Sequence, residues 1–326
     1  MKNKRKYIAL ILIPMVLIIG YLVIDTILFD GFNGKEITEE GFQAKFFSKP
    51  DIRNKPAVVL IGGGQGGEYW ANKFAEKGIV SLSLPYYRLP GLPSLMEEIP
   101  LEYFEKAINW LGSQPEVDRN KIILMGASRN GELSLVIASS FPELVSGVIA
   151  YAPSAISWSN TVLPFNSDSL KASWTYLDQD IPYLPMKKIK GNDSSKIETL
   201  EYWRNGLKNI NQHEESIIPV EKINGPILLL SGKDDKIWPS ATMSDMIEER
   251  LRAQGFQYEF DNVQYENAGH LISRDISMVS QGRIGQMEVD GKIYEFEYGG
   301  TIEGDKSAII QSQEKILSFI QSYESQ

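Results

Sequence analysis

Short apolar runs separated by amphipathic stretches constrain this chain more than any other feature. Ala57–Ile61, Ile79–Leu84, Lys121–Met125, Ser146–Tyr151 and Ile227–Ser231 are each five or six residues long, and Gly62 and Pro85 end two of them. Runs of that length, rich in β-branched residues, suit strands covered on both faces. Between them the spacing is helical. Glu68–Lys77 closes at Gly78, a natural C-cap. Leu101–Leu111 sets Phe104, Ile108 and Leu111 on one face, and Glu132–Ser140, Ala241–Ala253 and Asp305–Gln321 complete the helices. A sixth strand covers Tyr258–Val263, and Met287–Tyr298 alternates around Asp290-Gly291 as a β-hairpin does. Strands alternating with helices imply an α/β fold with a mostly parallel, doubly wound sheet. The expected organisation is an N-terminal segment 1–30, a linker and leading strand over 31–55 with Phe42–Phe47 extended, and one α/β domain over 56–326. Within it, residues 153–223 break the rhythm. They enter between two strands at the carboxyl side of the sheet and predict a cap insertion.

Composition removes several classes of function. The net charge of the 326 residues is −9, which leaves no basic face for a phosphate backbone, so no nucleic-acid partner is expected. There is no cysteine, which excludes disulfides, thiolate metal sites, a cysteine nucleophile and a lipoprotein anchor. With only two histidines, a zinc centre is not expected, and no cofactor is implied. The basic cluster Lys2, Lys4, Arg5 and Lys6 precedes an uncharged run from Ile8 to Ile24, which Ile27, Leu28 and Phe29 extend. That length spans a hydrocarbon core. No Ala-x-Ala-like site follows it, so the expectation is an uncleaved, single-pass N-terminal transmembrane helix. The positive flank then places the rest of the chain outside the cytoplasm.

Lys121–Glu132 compresses a strand, a tight turn and the start of a helix around Gly126-Ala127-Ser128-Arg129-Asn130-Gly131. A nucleophile elbow needs this arrangement: the serine is exposed on a strained turn, and small residues relieve crowding where strand meets helix. Asn130 stands where the second glycine of G-x-S-x-G falls, a place for a residue that tolerates positive φ. A plain N-cap role for Ser128 is the competing reading. After strand Ile227–Ser231, Gly232-Lys-Asp234-Asp235-Lys-Ile-Trp-Pro239 carries the G-x-x-D spacing that selects Asp235, with Asp234 a neighbour facing solvent. His270 follows the next strand and completes the chain order Ser, Asp, His. His213 lies among Asn211, Gln212, Glu214 and Glu215 and reads as surface. An oxyanion hole needs two backbone N–H groups. One is expected from Arg129 and the other from the loop after the first buried strand, at Gly63 or Gly64, where glycines let the backbone approach closely. That Gly62–Gly67 loop lacks the Lys-Ser/Thr of a phosphate-cradling loop.

Taken together, the Gly-Ala-Ser-Arg-Asn-Gly-Glu elbow, Glu68-Tyr69, Leu84-Pro85-Tyr86-Tyr87, Leu101-Glu-Tyr-Phe-Glu-Lys-Ala, Gly232-Lys-Asp-Asp and Ala268-Gly-His resemble one family. It is the catalytic domain shared by acyl-CoA thioesterases and bile-acid-CoA:amino-acid N-acyltransferases, within the α/β-hydrolase superfamily, and the similarity runs from about Pro56 to the C-terminus. The resemblance implies Ser128 as nucleophile, Asp235 as orienter, His270 as base, and a small-molecule acyl thioester or ester as substrate. Three departures stand out: Asn130 replaces a glycine, the leading β-domain of the animal enzymes is replaced by the anchor, and Ser128 stands where the transferase members carry a cysteine nucleophile. Serine favours transfer to water over transfer to an amine. Acyl-CoA is cytosolic, in tension with the expected topology, so a carboxylesterase or serine peptidase of the same fold is the first alternative. A catalytically silent binding domain is the second. Trp158, Trp174 and Trp203 with Leu163, Phe165 and Leu184 line an acyl pocket or form the cap's own core.

Overall fold

The computed structural model describes residues 34–324 apart from 39 and 162–166, together with Met15, Ile18 and Gly20. In chain order its elements are β1 (Lys35–Ile37), β2 (Ala44–Phe47), β3 (Lys55–Ile61), α1 (Gly64–Glu76), β4 (Val80–Leu84), β5 (Ile99–Pro100), α2 (Glu102–Gly112), β6 (Val117–Ala127), α3 (Arg129–Ser140), β7 (Gly147–Tyr151), β8 (Trp174–Tyr176), β9 (Gln179–Asp180), α4 (Thr199–Leu207), β10 (Ile227–Gly232), α5 (Ser240–Ala253), β11 (Phe260–Tyr265), β12 (Ile284–Val289), β13 (Lys292–Glu297) and α6 (Ile302–Ser322). Among the described residues eight strands form one sheet in the order β1-β2-β4-β3-β6-β7-β10-β11. From β4 to β11 every pairing is parallel, and β1 and β2 add an antiparallel edge.

Period-two alternation divides each central strand between two cores. Ala57, Val59 and Ile61 of β3, with Ile122 and Leu124 of β6, face a core shared with Phe104 and Ile108 of α2, Leu133 of α3 and Met243 of α5. Val58, Leu60, Ile123 and Met125 face the opposite core, with Trp70 and Phe74 of α1 and Ile309 and Ile316 of α6. Both faces are therefore covered, which is why the strands read as short apolar runs. The chain leaves β3 in one direction to β4 and then returns to β6 on its other side. The crevice at a parallel sheet's carboxyl edge lies at such a reversal. Here it falls between the loop after β3 and the turn after β6.

Several expectations need correction. Residues 31–55 carry more than one leading strand: β1 and β2 pair with each other, and Ile37, Phe42 and Ala44 are buried in the α2-side core. The strand expected over Tyr258–Val263 begins two residues later, because Tyr258 is exposed and the ladder pairs Ile227 with Phe260. Among the described residues, the insertion between β7 and β10 has no core of its own. Trp158, Trp174, Leu184 and Trp203 are fully buried within the α2-side core, while Leu163 and Phe165 lie outside the described residues. Its stretch around Ile189 and Ile197 packs on Val289 and Tyr294 of the β12–β13 hairpin. The anchor expected over Ile8–Phe29 also lies outside the described residues, save Met15, Ile18 and Gly20. Among the described residues no helix is long and apolar enough to cross a membrane.

Candidate active site

Ser128 stands between β6 and α3 with φ 57° and ψ −125°, outside the regions open to ordinary residues. It occupies the N-cap position, yet its side chain makes no capping hydrogen bond. A capping serine has extended φ and accepts from the first turn, so capping does not explain this residue. Its backbone N–H donates to Tyr151 O at 2.9 Å, which pins the turn to β7. The neighbouring glycines are fixed by close approach: a Cβ at Gly126 would collide with the Asn130 backbone, and one at Gly131 would lie 3.0 Å from Tyr151 O. The positive φ falls on Ser128 itself, and Asn130 is an ordinary helical residue of α3. The Asn130 side chain has a different job. Its Oδ1 accepts from Tyr86 Oη at 2.7 Å, and its Nδ2 fills the space where Gly62 would carry a Cβ. The amide thus bridges the elbow to the glycine loop.

That loop turns at Gly62 (φ 99°) and Gly63 (φ 52°) into α1. The Gly63 N–H already donates to Leu60 O at 3.3 Å. Gly64 is the first residue of α1 and Arg129 the first of α3, so neither N–H has an intrahelical acceptor. Of the loop positions expected for an oxyanion donor, Gly64 is the one left open.

Asp235 and His270 meet at the ends of β10 and β11. His270 Nδ1 lies 2.8 Å from Asp235 Oδ2, and both residues are buried. Asp235 Oδ2 also accepts from Ser240 Oγ at 2.7 Å, while Oδ1 accepts from the backbone N–H groups of Ile237 (2.9 Å) and Trp238 (3.2 Å). A carboxylate can only accept, so Nδ1 carries its proton toward Asp235, the tautomer in which Nε2 is the acceptor. The His270 ring packs edge-on against Trp238, which packs on Trp203, which packs on Trp158. The buried tryptophans of the insertion therefore support the ring. The structure brings Asp235 and His270 into contact and sets Ser128 at the same carboxyl edge, with β7 between the strand that leads to Ser128 and the strand that leads to Asp235. His213 is half-exposed between short 3-10 turns, with Glu215 Oε1 3.5 Å from its Nδ1.

Sequence reasoning missed the groups that hold these loops. The chain leaving the β12–β13 hairpin lies between them: Tyr298 O accepts from His270 N–H at 2.9 Å, and Gly299 bridges to Asp235. Asp234 does not simply face solvent, because its Oδ2 accepts from Gly300 N–H at 3.0 Å. Buried Asp305 accepts from Gly269 N–H at 2.8 Å and from Arg283 Nη1 at 2.7 Å, and Arg283 also reaches Gly299 O and Gly300 O. The adjacent pair Gly299-Gly300, both with positive φ, was the available signal.

Behind the elbow lies a buried ion pair. Arg129 Nη1 donates to Glu132 Oε2 at 2.5 Å, and Glu132 Oε1 accepts from Trp158 N–H and Trp174 Nε1, each at 3.1 Å. Arg129 also reaches Trp158 O and Ser173 Oγ and stacks on Trp174. Burial pushes the Glu132 carboxyl from its ordinary 4.5 up to about 7, against the pull of Arg129 and these donors. A folded-state value above the unfolded one contributes stability that is complete below pH 4.5 and lost as the pH rises through 7. At 1.36 kcal/mol per unit the contribution is about 3 kcal/mol. Glu132→Gln cannot titrate, so its stability relative to the native chain should rise between pH 5 and 8, read by urea unfolding at each pH. A difference that stays flat across that range would contradict the raised value.

The family described as BAAT / Acyl-CoA thioester hydrolase C terminal matches residues 99–325. The chain belongs to this family. Among its relatives, human acyl-coenzyme A thioesterase 6 is 30% identical over 86% of this chain and 63% of its own length. Mouse acyl-coenzyme A thioesterase 1 is 32% identical over 74% of this chain and 54% of its own length. The chain thus spans less than two thirds of these curated relatives. A thermophilic esterase from the Planctomycetes species Thermogutta terrifontis superposes with a TM-score of 0.52 at 14% identity, covering 89% of this chain and 92% of the esterase. That likeness places the fold among the α/β hydrolases.

Proposed function

We propose that this chain is a serine hydrolase that cleaves an acyl thioester or ester through an acyl-enzyme, with Ser128 as nucleophile, His270 as general base and Asp235 as its orienting acid. The observation that carries this reading is the Asp235–His270 hydrogen bond at the sheet edge that also bears the strained Ser128. Ser128 Oγ attacks the acyl carbonyl as His270 Nε2 takes its proton. The oxyanion is received by the N–H groups of Arg129 and Gly64, where two helix N-termini converge. Collapse expels the thiolate or alkoxide, which takes the proton from His270. Water then attacks the acyl-enzyme, again deprotonated by His270, and the acid and free Ser128 are regenerated. Relatives named as acyl-coenzyme A thioesterases support a thioester substrate.

The test has two parts. A fluorophosphonate probe should label the chain at Ser128, and an unlabelled, folded chain would leave only a binding role. A panel of acyl-CoA thioesters against 4-nitrophenyl esters and N-acyl peptides should then show thioesters or esters turned over well above the peptides. Preferred peptide cleavage would make this a peptidase of the same fold.

A further inference from the structure

The two N–H groups assigned to the oxyanion belong to different loops, Arg129 opening α3 and Gly64 opening α1. Stabilisation of this kind depends on donors held in advance at the spacing the oxyanion requires. β3 and β6 are neighbours in the sheet, but their ladder ends at Leu60 and Met125 and does not fix the residues beyond. The gap between the two loops needs another determinant.

The residues leaving β4 reach both loops. Gly62 N–H donates to Leu84 O at 3.0 Å, and a Cβ at Gly63 would lie 2.5 Å from the Pro85 nitrogen. Next in the chain, Tyr86 Oη donates to Asn130 Oδ1 at 2.7 Å, one residue beyond Arg129. Pro85 and Tyr86 are themselves held firmly. Pro85 O accepts from Tyr103 Oη of α2 at 2.6 Å, and the Tyr86 ring packs edge-on against Phe104 and Trp174. A G-x-S-x-G elbow has a glycine at the position of Asn130, with no side chain to make this bond. Tyr86 is 1% exposed, and without Asn130 its hydroxyl would keep only Met96 Sδ, 3.9 Å away. A buried hydroxyl left so poorly paired is costly, so Tyr86 and Asn130 work as a pair.

Resting on the hydrolase reading above, we infer that Asn130 is a positioning residue that, with Tyr86, sets the gap between the N–H groups of Arg129 and Gly64. The role needs no contact between Asn130 and substrate. It acts through the first turn of α3, where Arg129 is its neighbour, and through Gly62, against which its Nδ2 lies. The oxyanion forms only on the way to the tetrahedral intermediate, so the gap governs the chemical step and not substrate binding.

The experiment measures kcat and KM for the best substrate of the panel above with the native chain, Tyr86→Phe, Asn130→Ala and the double variant. Each single variant should lower kcat about ten- to hundred-fold with KM within about two-fold of native. The double variant should be no slower than the slower single one, because the same strap is broken once. If Asn130→Ala does not fold, Tyr86→Phe, the milder change, carries the test alone. Nitrogen-15 NMR adds a readout that needs no turnover. The Gly64 and Arg129 amide resonances should both move in Tyr86→Phe, a change made in neither loop. A native chain that neither labels with fluorophosphonate nor turns over would sink the hydrolase reading, and the amide resonances would still decide whether the strap sets the gap. An unchanged kcat, a raised KM in place of a lowered kcat, additive losses in the double variant, or unmoved amide resonances would overturn the positioning role.

Discussion

Ser128→Ala is expected to abolish fluorophosphonate labelling and to lower turnover by about 10⁶-fold, the loss seen when a triad serine is removed elsewhere. His270→Ala should cost about as much, because triad members act as a unit, whereas His213→Ala should be near neutral. The structure adds a second readout on the same position. Ser128 is held at φ 57°, a conformation that strains any residue with a Cβ and costs about 1–3 kcal/mol. Alanine keeps that strain, so Ser128→Ala should melt close to the native chain. Glycine removes it, so Ser128→Gly should be inactive yet more stable by about 1 kcal/mol. A Ser128→Ala variant that still hydrolyses and still labels would remove the nucleophile assignment. A Ser128→Gly variant no more stable than the native chain would mean that the turn is not strained.

The parts of this architecture that follow from short-range patterning could be read before any coordinates. The central strands are short apolar runs because both faces are covered, and the amphipathic stripe at Phe104, Ile108 and Leu111 marks the face of α2 that covers one of them. Asp235 and His270 were reachable because the loops after β10 and β11 adjoin in a parallel sheet, so chain order alone places them together. What escaped was long-range or atomic. The pairing of β1 with β2 depends on three weakly patterned residues, Lys35–Ile37, that nothing nearby marks as a strand. The role of Asn130 is set by a side chain reaching Gly62 and Tyr86, some sixty-eight and forty-four positions back along the chain. Asp305 and Arg283 read as charged residues of a helix and a loop, and only the fold turns them onto the Gly269 backbone. The tryptophans of the insertion looked like a separate cap core because composition reports that they are buried, not against what.

Asp235→Asn should slow turnover by roughly 10⁴-fold while leaving the fold intact, by analogy with the protease triad. The hydrogen bonds around Asp235 explain why an isosteric change should cost so much. Ile237 N–H and Trp238 N–H converge on Oδ1, and backbone N–H groups can only donate. An asparagine here must turn its oxygen toward them, which leaves its NH₂ facing His270 Nδ1 and Ser240 Oγ. Ser240 can rotate its hydroxyl to accept, but the imidazole has to give up the Nδ1 proton. The neutral ring then carries its hydrogen on Nε2 and cannot take the proton of Ser128. Nitrogen-15 NMR of the His270 ring should therefore show the opposite tautomer in Asp235→Asn, alongside the kinetic loss. Asp234→Asn is the control, because its amide oxygen can still accept from Gly300 N–H, and it should stay within about ten-fold of native turnover. If Asp234→Asn took the large loss and Asp235→Asn did not, the acid would be the wrong one of the pair, and the hydrogen bond at His270 Nδ1 would be structural rather than catalytic.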